Sequence, residues 1–182
     1  GQEMTLEHAL ARAGEWHHGQ FRRGLSVPYI VHPARVAAAA EEIGLCVDAQ
    51  MAAALHDVVE DTLCSFEDLS REFPARACEL VRLLTKWWGD HAPLHVKVLH
   101  KPIYYSRIAA DPDALALKVL DLADNLNDMV LVASTMRKWA EKYLAKSDVE
   151  IEPLALACPA AFDRYARARD RLAFALQKTP RF

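Results

Sequence analysis

Apolar residues recur along this chain at the three- and four-residue intervals of amphipathic helices, and the strict alternation of a half-buried strand is hard to find. Alanine and leucine are abundant, and only six glycines occur. Both abundant residues favour helices, whereas the β-branched residues that favour strands are rarely placed in alternation. The pattern predicts an all-α protein, a bundle of roughly seven to nine helices.

Capping residues and prolines predict where these helices begin. The segment Ser65–Asp68 has the form of a capping box, and Asp111 followed by Pro112 joins an N-cap to a proline at the first helical position. Pro153 and Pro159 set off the last helix. The expected starts are Thr5, Pro33 (at the first helical position), Asp48 (capping the helix that carries His56), Ser65, Pro74, Asp111 and Pro159.

Length and charge limit the classes of function. We expect one domain over 1–182, because a chain of 182 residues fills a single core. A net charge of −3 and a pI near 6.3 give no general attraction for nucleic acid or an anionic membrane, so neither is an expected partner. With widely spaced cysteines, no membrane-length apolar run and no recognisable signal peptide, we expect a cytoplasmic protein with reduced thiols.

A polar cluster interrupts the apolar segment that follows Asp48. In a helix, His56 and Glu60 lie one turn apart, as do Asp57 and Asp61, so the four polar groups share one side. Three carboxylates beside an imidazole repel one another and resist desolvation unless a cation lies among them. A divalent metal is the simplest candidate.

Two further residues have the side chains that a divalent first-row metal prefers. His32 lies at a predicted helix start, and Asp124 belongs to an acidic stripe on an otherwise apolar helix. Each alone has an ordinary alternative, as a loop histidine and as an aspartate that faces solvent. Taken together, the candidate metal ligands are His32, His56, Asp57 and Asp124.

Five short segments together resemble the HD superfamily of metal-dependent phosphohydrolases, and within it the hydrolase domain of RelA/SpoT-type proteins and their small stand-alone relatives. The resemblance covers about residues 5–145, the expected core, and leaves 146–182 as a helical extension. The segments keep the family's order and approximate spacing. They are His17–Arg22, Pro28–Pro33, Ala53–Thr62, Leu84–Lys86 and Leu122–Asp124.

The resemblance implies roles for residues and a reaction. The four candidate ligands would hold the metal, expected to be manganese, and Glu60 with Asp61 would position or activate the attacking water. The expected substrate is a small phosphorylated nucleotide, guanosine tetra- or pentaphosphate, whose 3′-diphosphate leaves as pyrophosphate. The residues expected to bind the substrate are Arg22, Arg23, Lys86 and Asp128.

Three features depart from the family pattern. The loop from Arg22 to Pro28 is one residue longer, Asp121 replaces the lysine expected directly before Leu122–Asp124, and Asp128 replaces the asparagine expected four residues after the metal aspartate. Two extra carboxylates should weaken binding of highly charged nucleotides. Two alternatives therefore stay open: an HD phosphohydrolase for a nucleoside monophosphate or a redox-cofactor phosphate, and a non-catalytic nucleotide-binding module.

Overall fold

A computed structural model describes residues 3–178 and folds them into eleven helices, with no β-strand among these residues. The all-α prediction is confirmed. More helices are present than expected for two reasons. A turn near His56 divides one predicted helix into α3 and α4, and the count includes two very short helices, α4 with four residues and α10 with five. The helices are α1 (Leu6–Trp16), α2 (Val31–Glu42), α3 (Val47–Leu55), α4 (Val58–Asp61), α5 (Phe66–Glu72), α6 (Ala75–Leu84), α7 (Leu94–Ala109), α8 (Pro112–Val132), α9 (Arg137–Glu150), α10 (Glu152–Leu156) and α11 (Pro159–Lys178).

Side-chain caps begin three helices where the sequence predicted them. The Thr5 hydroxyl accepts a hydrogen bond from a first-turn amide of α1, and Ser65 with Asp68 forms the reciprocal capping box of α5. Asp111 accepts hydrogen bonds from two first-turn amides of α8. These caps satisfy N–H groups that have no acceptor inside their own helix.

Two predicted starts are displaced by a few residues. Helix α2 begins at Val31, two residues before Pro33, and α3 begins at Val47 instead of after Asp48. A proline is tolerated throughout the first turn because the N–H it lacks would have no intrahelical acceptor there. Asp48 does not cap α3 but lies in its first turn, where a negative charge favours the helix dipole.

Helix α8 is the central helix of the bundle. Thirteen of its 21 residues are buried, and it packs against α2, α6, α7, α9 and α11. Helix α11 contributes a buried stripe to this packing, at Ala161, Tyr165, Ala168, Leu172 and Leu176. Because α8 is enclosed on most sides, a polar side chain on its buried face needs a partner from its own or a neighbouring helix.

The α-helical hydrogen-bond pattern is interrupted between α3 and α4, although the backbone of both intervening residues stays in the right-handed region. Helix α3 ends at Leu55 and α4 begins at Val58, so His56 and Asp57 occupy the turn between them. In an unbroken helix, consecutive side chains would point about 100° apart. The predicted continuous helix is therefore wrong at these two residues, and the turn lets both side chains face the same point.

A compact loop joins α1 to α2 and carries Arg22 and Arg23. A backbone hydrogen bond of 2.8 Å from Arg22 N to Val27 O ties its two sides together. Gly24 adopts a φ of +74°, and a Cβ at this position would lie 2.6 Å from the sulfur of Met136. Glycine is required here because the backbone is left-handed and approaches the start of α9 closely.

None of the helices within residues 3–178 combines the length and apolarity needed to cross a bilayer. The four cysteines are all free thiols. The cytoplasmic assignment stays a prediction.

Candidate metal centre and nucleotide cavity

Two histidines and two aspartates from three parts of the fold converge on one point. His32 from α2, His56 and Asp57 from the α3–α4 turn, and Asp121 from α8 each bring one donor atom within 4.8 Å of the others. His32 Nε2 lies 2.8 Å from Asp121 Oδ1, and His56 Nε2 lies 3.0 Å from Asp57 Oδ2. Two imidazole nitrogens and two carboxylate oxygens are donors that first-row divalent metals accept.

The outer nitrogens of both rings are held by acceptors behind the cluster. His56 Nδ1 lies 2.6 Å from the Ala53 carbonyl oxygen, and His32 Nδ1 lies 2.6 Å from Asp124 Oδ2. A carbonyl or carboxylate oxygen can only accept a hydrogen bond, so Nδ1 of each histidine carries a proton. When either ring is neutral, its Nε2 therefore has a free lone pair, which faces the carboxylates of Asp57 and Asp121. Acceptors that face one another repel unless positive charge lies among them, and a set of two imidazoles and two carboxylates fits a divalent metal.

The charges of the cluster are mutually dependent. Burial opposes charge on every member, yet the carboxylates of Asp57 and Asp121 raise the pKa of His56 well above its ordinary value. His56 in turn holds the pKa of Asp57 and Asp121 below the ordinary carboxyl value despite their burial. Positive charge is thus favoured at this point of the structure.

The structure differs from the sequence prediction at the fourth ligand. Asp124 lies outside the donor cluster, where its carboxylate contacts the outer nitrogen of His32 and the guanidinium of Arg35. Asp121, one turn earlier on α8, contributes the donor oxygen instead. Residues three apart lie on nearly the same helix face, so helical periodicity alone does not separate these two aspartates.

The revised position removes two of the three apparent departures from the family pattern. Lys118 lies three residues before Asp121, and Asn125 lies four residues after it, which are the lysine and asparagine that the resemblance expects around the metal aspartate. Lys118 Nζ is 3.3 Å from Asp121 Oδ2. The Asn125 amide donates a 3.0 Å hydrogen bond to the Tyr143 hydroxyl.

Glu60 and Asp61, the predicted water-handling residues, lie beside the cluster. Burial raises the pKa of Glu60, whose carboxylate accepts a 2.5 Å hydrogen bond from the backbone N–H of Lys86. Burial, together with the charges of Asp57 and Glu60, raises the pKa of Asp61 to about 7. The Tyr29 hydroxyl donates to Asp57 Oδ2 at 2.7 Å and lies 3.4 Å from Asp61 Oδ2, linking the cluster to these acids.

The cluster opens into a cavity of about 240 Å³ lined by both signs of charge. Three lysines contribute to its wall: Lys86, Lys118 and Lys146. Burial, then the neighbouring lysines, lowers the pKa of Lys146 to about 8. Tyr105 and Tyr143 add aromatic surface. Cationic and aromatic groups next to a metal site suit a ligand with phosphate groups and a base.

The predicted substrate-binding residues do not all reach this cavity. Lys86 lines it, whereas Arg22 lies at the edge of the site, with its Nε 2.7 Å from Asp128 Oδ2. Arg23 points toward α9, with its guanidinium 4.6 Å from the Trp139 ring centre. Asp128 is therefore a partner of Arg22 in this structure and does not line the cavity.

Several residues of the cavity and cluster were not predicted from the sequence as parts of the site. Lys118, Asp121 and Asn125 could have been found by placing the family's lysine and asparagine three residues earlier. Tyr29 lay within a recognised segment but carried no expected role. Tyr143 and Lys146 lie at and beyond the end of the resemblance, and no local pattern marks them.

A family profile described as "HD domain" matches residues 9–101. Among curated proteins, the chain is 32% identical over 144 residues to the guanosine-3′,5′-bis(diphosphate) 3′-pyrophosphohydrolase of Aquifex aeolicus, covering 76% of this chain and 19% of that protein. It is 36% identical over 155 residues to a GTP pyrophosphokinase of Streptomyces coelicolor, covering 82% and 17%. The chain thus spans about a fifth of the length of the curated relatives it matches.

A solved structure of similar size also matches. That protein is described as a metazoan ortholog of SpoT that hydrolyzes ppGpp and plays a role in starvation responses. The match has a TM-score of 0.62 at 25% identity and covers 98% of this chain and 94% of that one. With the profile match over half of its length and the all-α fold in place, this chain belongs to the HD domain family.

Proposed function

We propose that this chain is a metal-dependent phosphohydrolase that removes the 3′-diphosphate of guanosine tetra- or pentaphosphate as pyrophosphate. The observation that carries the proposal is the convergence of His32, His56, Asp57 and Asp121 within 4.8 Å beside a lysine-lined cavity. The substrate is supported by the names of the matched pyrophosphohydrolase and of the length-matched ppGpp hydrolase.

The four cluster residues would hold one divalent cation, with manganese as the proposed metal because the donors mix imidazole and carboxylate. When bound, such an ion supplies Lewis-acid chemistry, polarising a phosphoryl oxygen and making water more acidic. The protein supplies orientation: Asp124 and the Ala53 carbonyl hold the rings of His32 and His56 with Nε2 facing inward.

Asp61 is the proposed acceptor of the proton from the attacking water. Its pKa of about 7 allows it to take up and release a proton near neutral pH. Glu60, fixed by the Lys86 backbone N–H, is placed to orient the same water. The Tyr29 hydroxyl holds the Asp57 carboxylate and limits its rotation.

The charge distribution supports a polyphosphate ligand. The sequence alone suggests that Asp121 and Asp128 place extra negative charge near the phosphates. In the structure, Asp121 belongs to the donor cluster, and Asp128 forms ion pairs with Arg22 and Arg35. The remaining cavity carboxylates are offset by Lys86, Lys118 and Lys146. These lysines would neutralise charge that develops on phosphoryl oxygens.

A small nucleotide, instead of a nucleic acid, is the proposed partner, and the cytoplasm is the proposed location. Three of the four arginines of α11 pair with a carboxylate, which offsets their positive charge: Arg164, Arg167 and Arg169. Free thiols agree with a reducing compartment.

The test is pyrophosphate release by metal-free protein to which Mn²⁺ or Mg²⁺ is restored. We expect Mn²⁺-dependent release from guanosine tetraphosphate, and loss of both release and Mn²⁺ binding in His56→Ala. His95→Ala, which removes an exposed histidine on α7, is the matched control and should behave as wild type. A panel of 3′-monophosphates and a redox-cofactor phosphate tests the other substrates. Faster turnover of a monophosphate would reject the diphosphate assignment, and Mn²⁺ binding without any turnover would indicate a binding module.

A further inference from the structure

Arg35 lies one turn after His32 on α2 and joins two aspartates of α8. Its Nε is 2.8 Å from Asp124 Oδ1, and its Nη2 is 3.0 Å from Asp124 Oδ2. The same Nη2 lies 2.8 Å from Asp128 Oδ1. One guanidinium therefore fixes two carboxylates, and its planar fork holds Asp124 with two parallel bonds, which a lysine ammonium cannot reproduce.

Each of these carboxylates holds a different part of the site. Asp124 Oδ2 accepts from the outer nitrogen of His32, whose Nε2 faces the donor cluster. Asp128 Oδ2 accepts from Arg22 Nε at 2.7 Å. The hydrogen-bonded path thus runs without interruption from a metal donor at one end to an arginine at the edge of the cavity at the other.

The charge arrangement gives Arg35 a stabilising role in this geometry, although Arg22 Nη2 also donates to Asn125 Oδ1 at 2.7 Å. The Asp124 and Asp128 side chains are each only 13% exposed and lie one turn apart on α8, so their charges repel. Arg35 lies between them and offsets that repulsion. Without it, Asp124 would keep His32 as its remaining hydrogen-bond partner and Asp128 would keep Arg22, and the two carboxylates would be free to separate.

We propose that Arg35 is a positioning residue that couples metal binding to nucleotide binding. It sets His32 through Asp124 and sets Arg22 through Asp128, and this inference rests on the proposed function of the site. Because the contacts to His32 and to Arg22 both pass through Arg35, metal binding should change nucleotide affinity, and nucleotide binding should change metal affinity by the same factor.

The experiment compares Arg35→Met with Arg169→Met in the full chain. Arg169 is the matched control because its fork also binds one carboxylate, Asp148, with two bonds of 3.0 Å, but on the α9–α11 side of the bundle. Calorimetry on metal-free protein gives the Mn²⁺ affinity. GDP titrated with and without saturating Mn²⁺ gives the nucleotide affinity and its dependence on metal, and urea unfolding of metal-free protein reports stability.

We expect Arg35→Met to weaken Mn²⁺ binding by about 10- to 100-fold, the usual effect of losing an outer-sphere partner. It should also abolish the dependence of GDP affinity on Mn²⁺ that wild type and Arg169→Met retain. Arg35→Lys should recover part of the Mn²⁺ affinity but not the metal dependence of GDP binding, because its ammonium keeps the positive charge but lacks the planar fork that orients Asp124 and Asp128 together.

Mn²⁺ affinity within twofold of wild type in Arg35→Met would overturn the proposal, as would an unchanged metal dependence of GDP binding. If Arg35→Met does not fold, Arg35→Gln, which keeps a polar but shorter and uncharged side chain, is subject to the same two criteria. Neither readout is hydrolysis. An absence of turnover in wild type with Mn²⁺ binding intact would therefore reject the proposed function without deciding the role of Arg35.

Discussion

Asp121 Oδ1 lies 2.8 Å from His32 Nε2, although the two residues are 89 positions apart. The contact joins α8 to α2 and places an α8 carboxylate among the donors of the α3–α4 turn. It distinguishes Asp121 from Asp124, which meets the opposite nitrogen of the same ring.

This contact predicts different outcomes for two matched substitutions. Asp121→Asn should abolish stoichiometric Mn²⁺ binding because it removes a donor, whereas Asp124→Asn should retain binding with about 10- to 100-fold lower affinity because it removes only an outer partner. Metal analysis and calorimetry on both variants check this. Equal losses, or the reverse order, would return Asp124 to the ligand set.

The acids beside the cluster should separate metal binding from turnover. Glu60→Gln and Asp61→Asn are expected to lower kcat for pyrophosphate release by about 10²- to 10⁴-fold, the range for loss of proton transfer. Mn²⁺ affinity should stay close to wild type because neither residue belongs to the donor set. Glu67→Gln, on the exposed face of α5, is the control and should change neither quantity. Full activity in Asp61→Asn would exclude it as the proton acceptor.

Lys146 predicts a pH dependence of nucleotide affinity. Burial and its lysine neighbours lower its pKa to about 8, so its positive charge is present below that pH and is lost above it. Affinity for GDP should therefore fall as the pH rises through 8. In Lys146→Gln the affinity should be lower at pH 7 and flatter with pH, while Lys142→Gln, an exposed lysine on the same helix, should keep the wild-type profile.

The cap of α8 predicts a stability effect that is separate from the chemistry. Asp111 accepts two first-turn amide bonds and a bidentate ion pair from Arg76, so Asp111→Ala should lower the free energy of unfolding by about 2 kcal/mol or more. Asp113→Ala, which removes a single contact to Arg76 and no cap, should cost less. Urea unfolding near neutral pH measures both.

Asp111 also predicts how the stability of the protein changes at acidic pH. The hydrogen bond from Arg76 lowers the pKa of Asp111 below its ordinary value of 3.8, so the folded state favours the charged carboxyl. Its contribution is therefore fully present above pH 3.8 and is lost as the pH falls through the lower pKa of the folded state. The difference in stability between wild type and Asp111→Ala should narrow over that acidic range, and a constant difference would contradict the assignment.

The all-α fold, most helix starts and the segments around the site could be predicted from the sequence. Each of them depends on the pattern of residues within a short stretch of chain. The capping box at Ser65 and the N-cap at Asp111 are examples. The break at His56 and Asp57 could not, since the alanine-rich segment before it favours a continuous helix and α3 also packs against α1, α2 and α6, contacts that local sequence does not reveal.

The choice between Asp121 and Asp124 as the fourth candidate ligand illustrates a different limit. α8 carries aspartates at 121, 124 and 128, all within two turns, and periodicity gives them similar orientations. Only the flanking Lys118 and Asn125 distinguish Asp121, and the more familiar Leu122–Asp124 element concealed that register. The single-domain organisation over 1–182 and the division at residue 145 stay predictions.

The stripe of α11 against α8 has a practical consequence for anyone trimming this protein. A chain cut after residue 145, where the family resemblance ends, would lose the buried residues from Ala161 to Leu176. One side of α8 would then be exposed to solvent. Asp121 would then lie on a less firmly packed helix. Such a fragment should bind metal poorly even though it retains every donor atom.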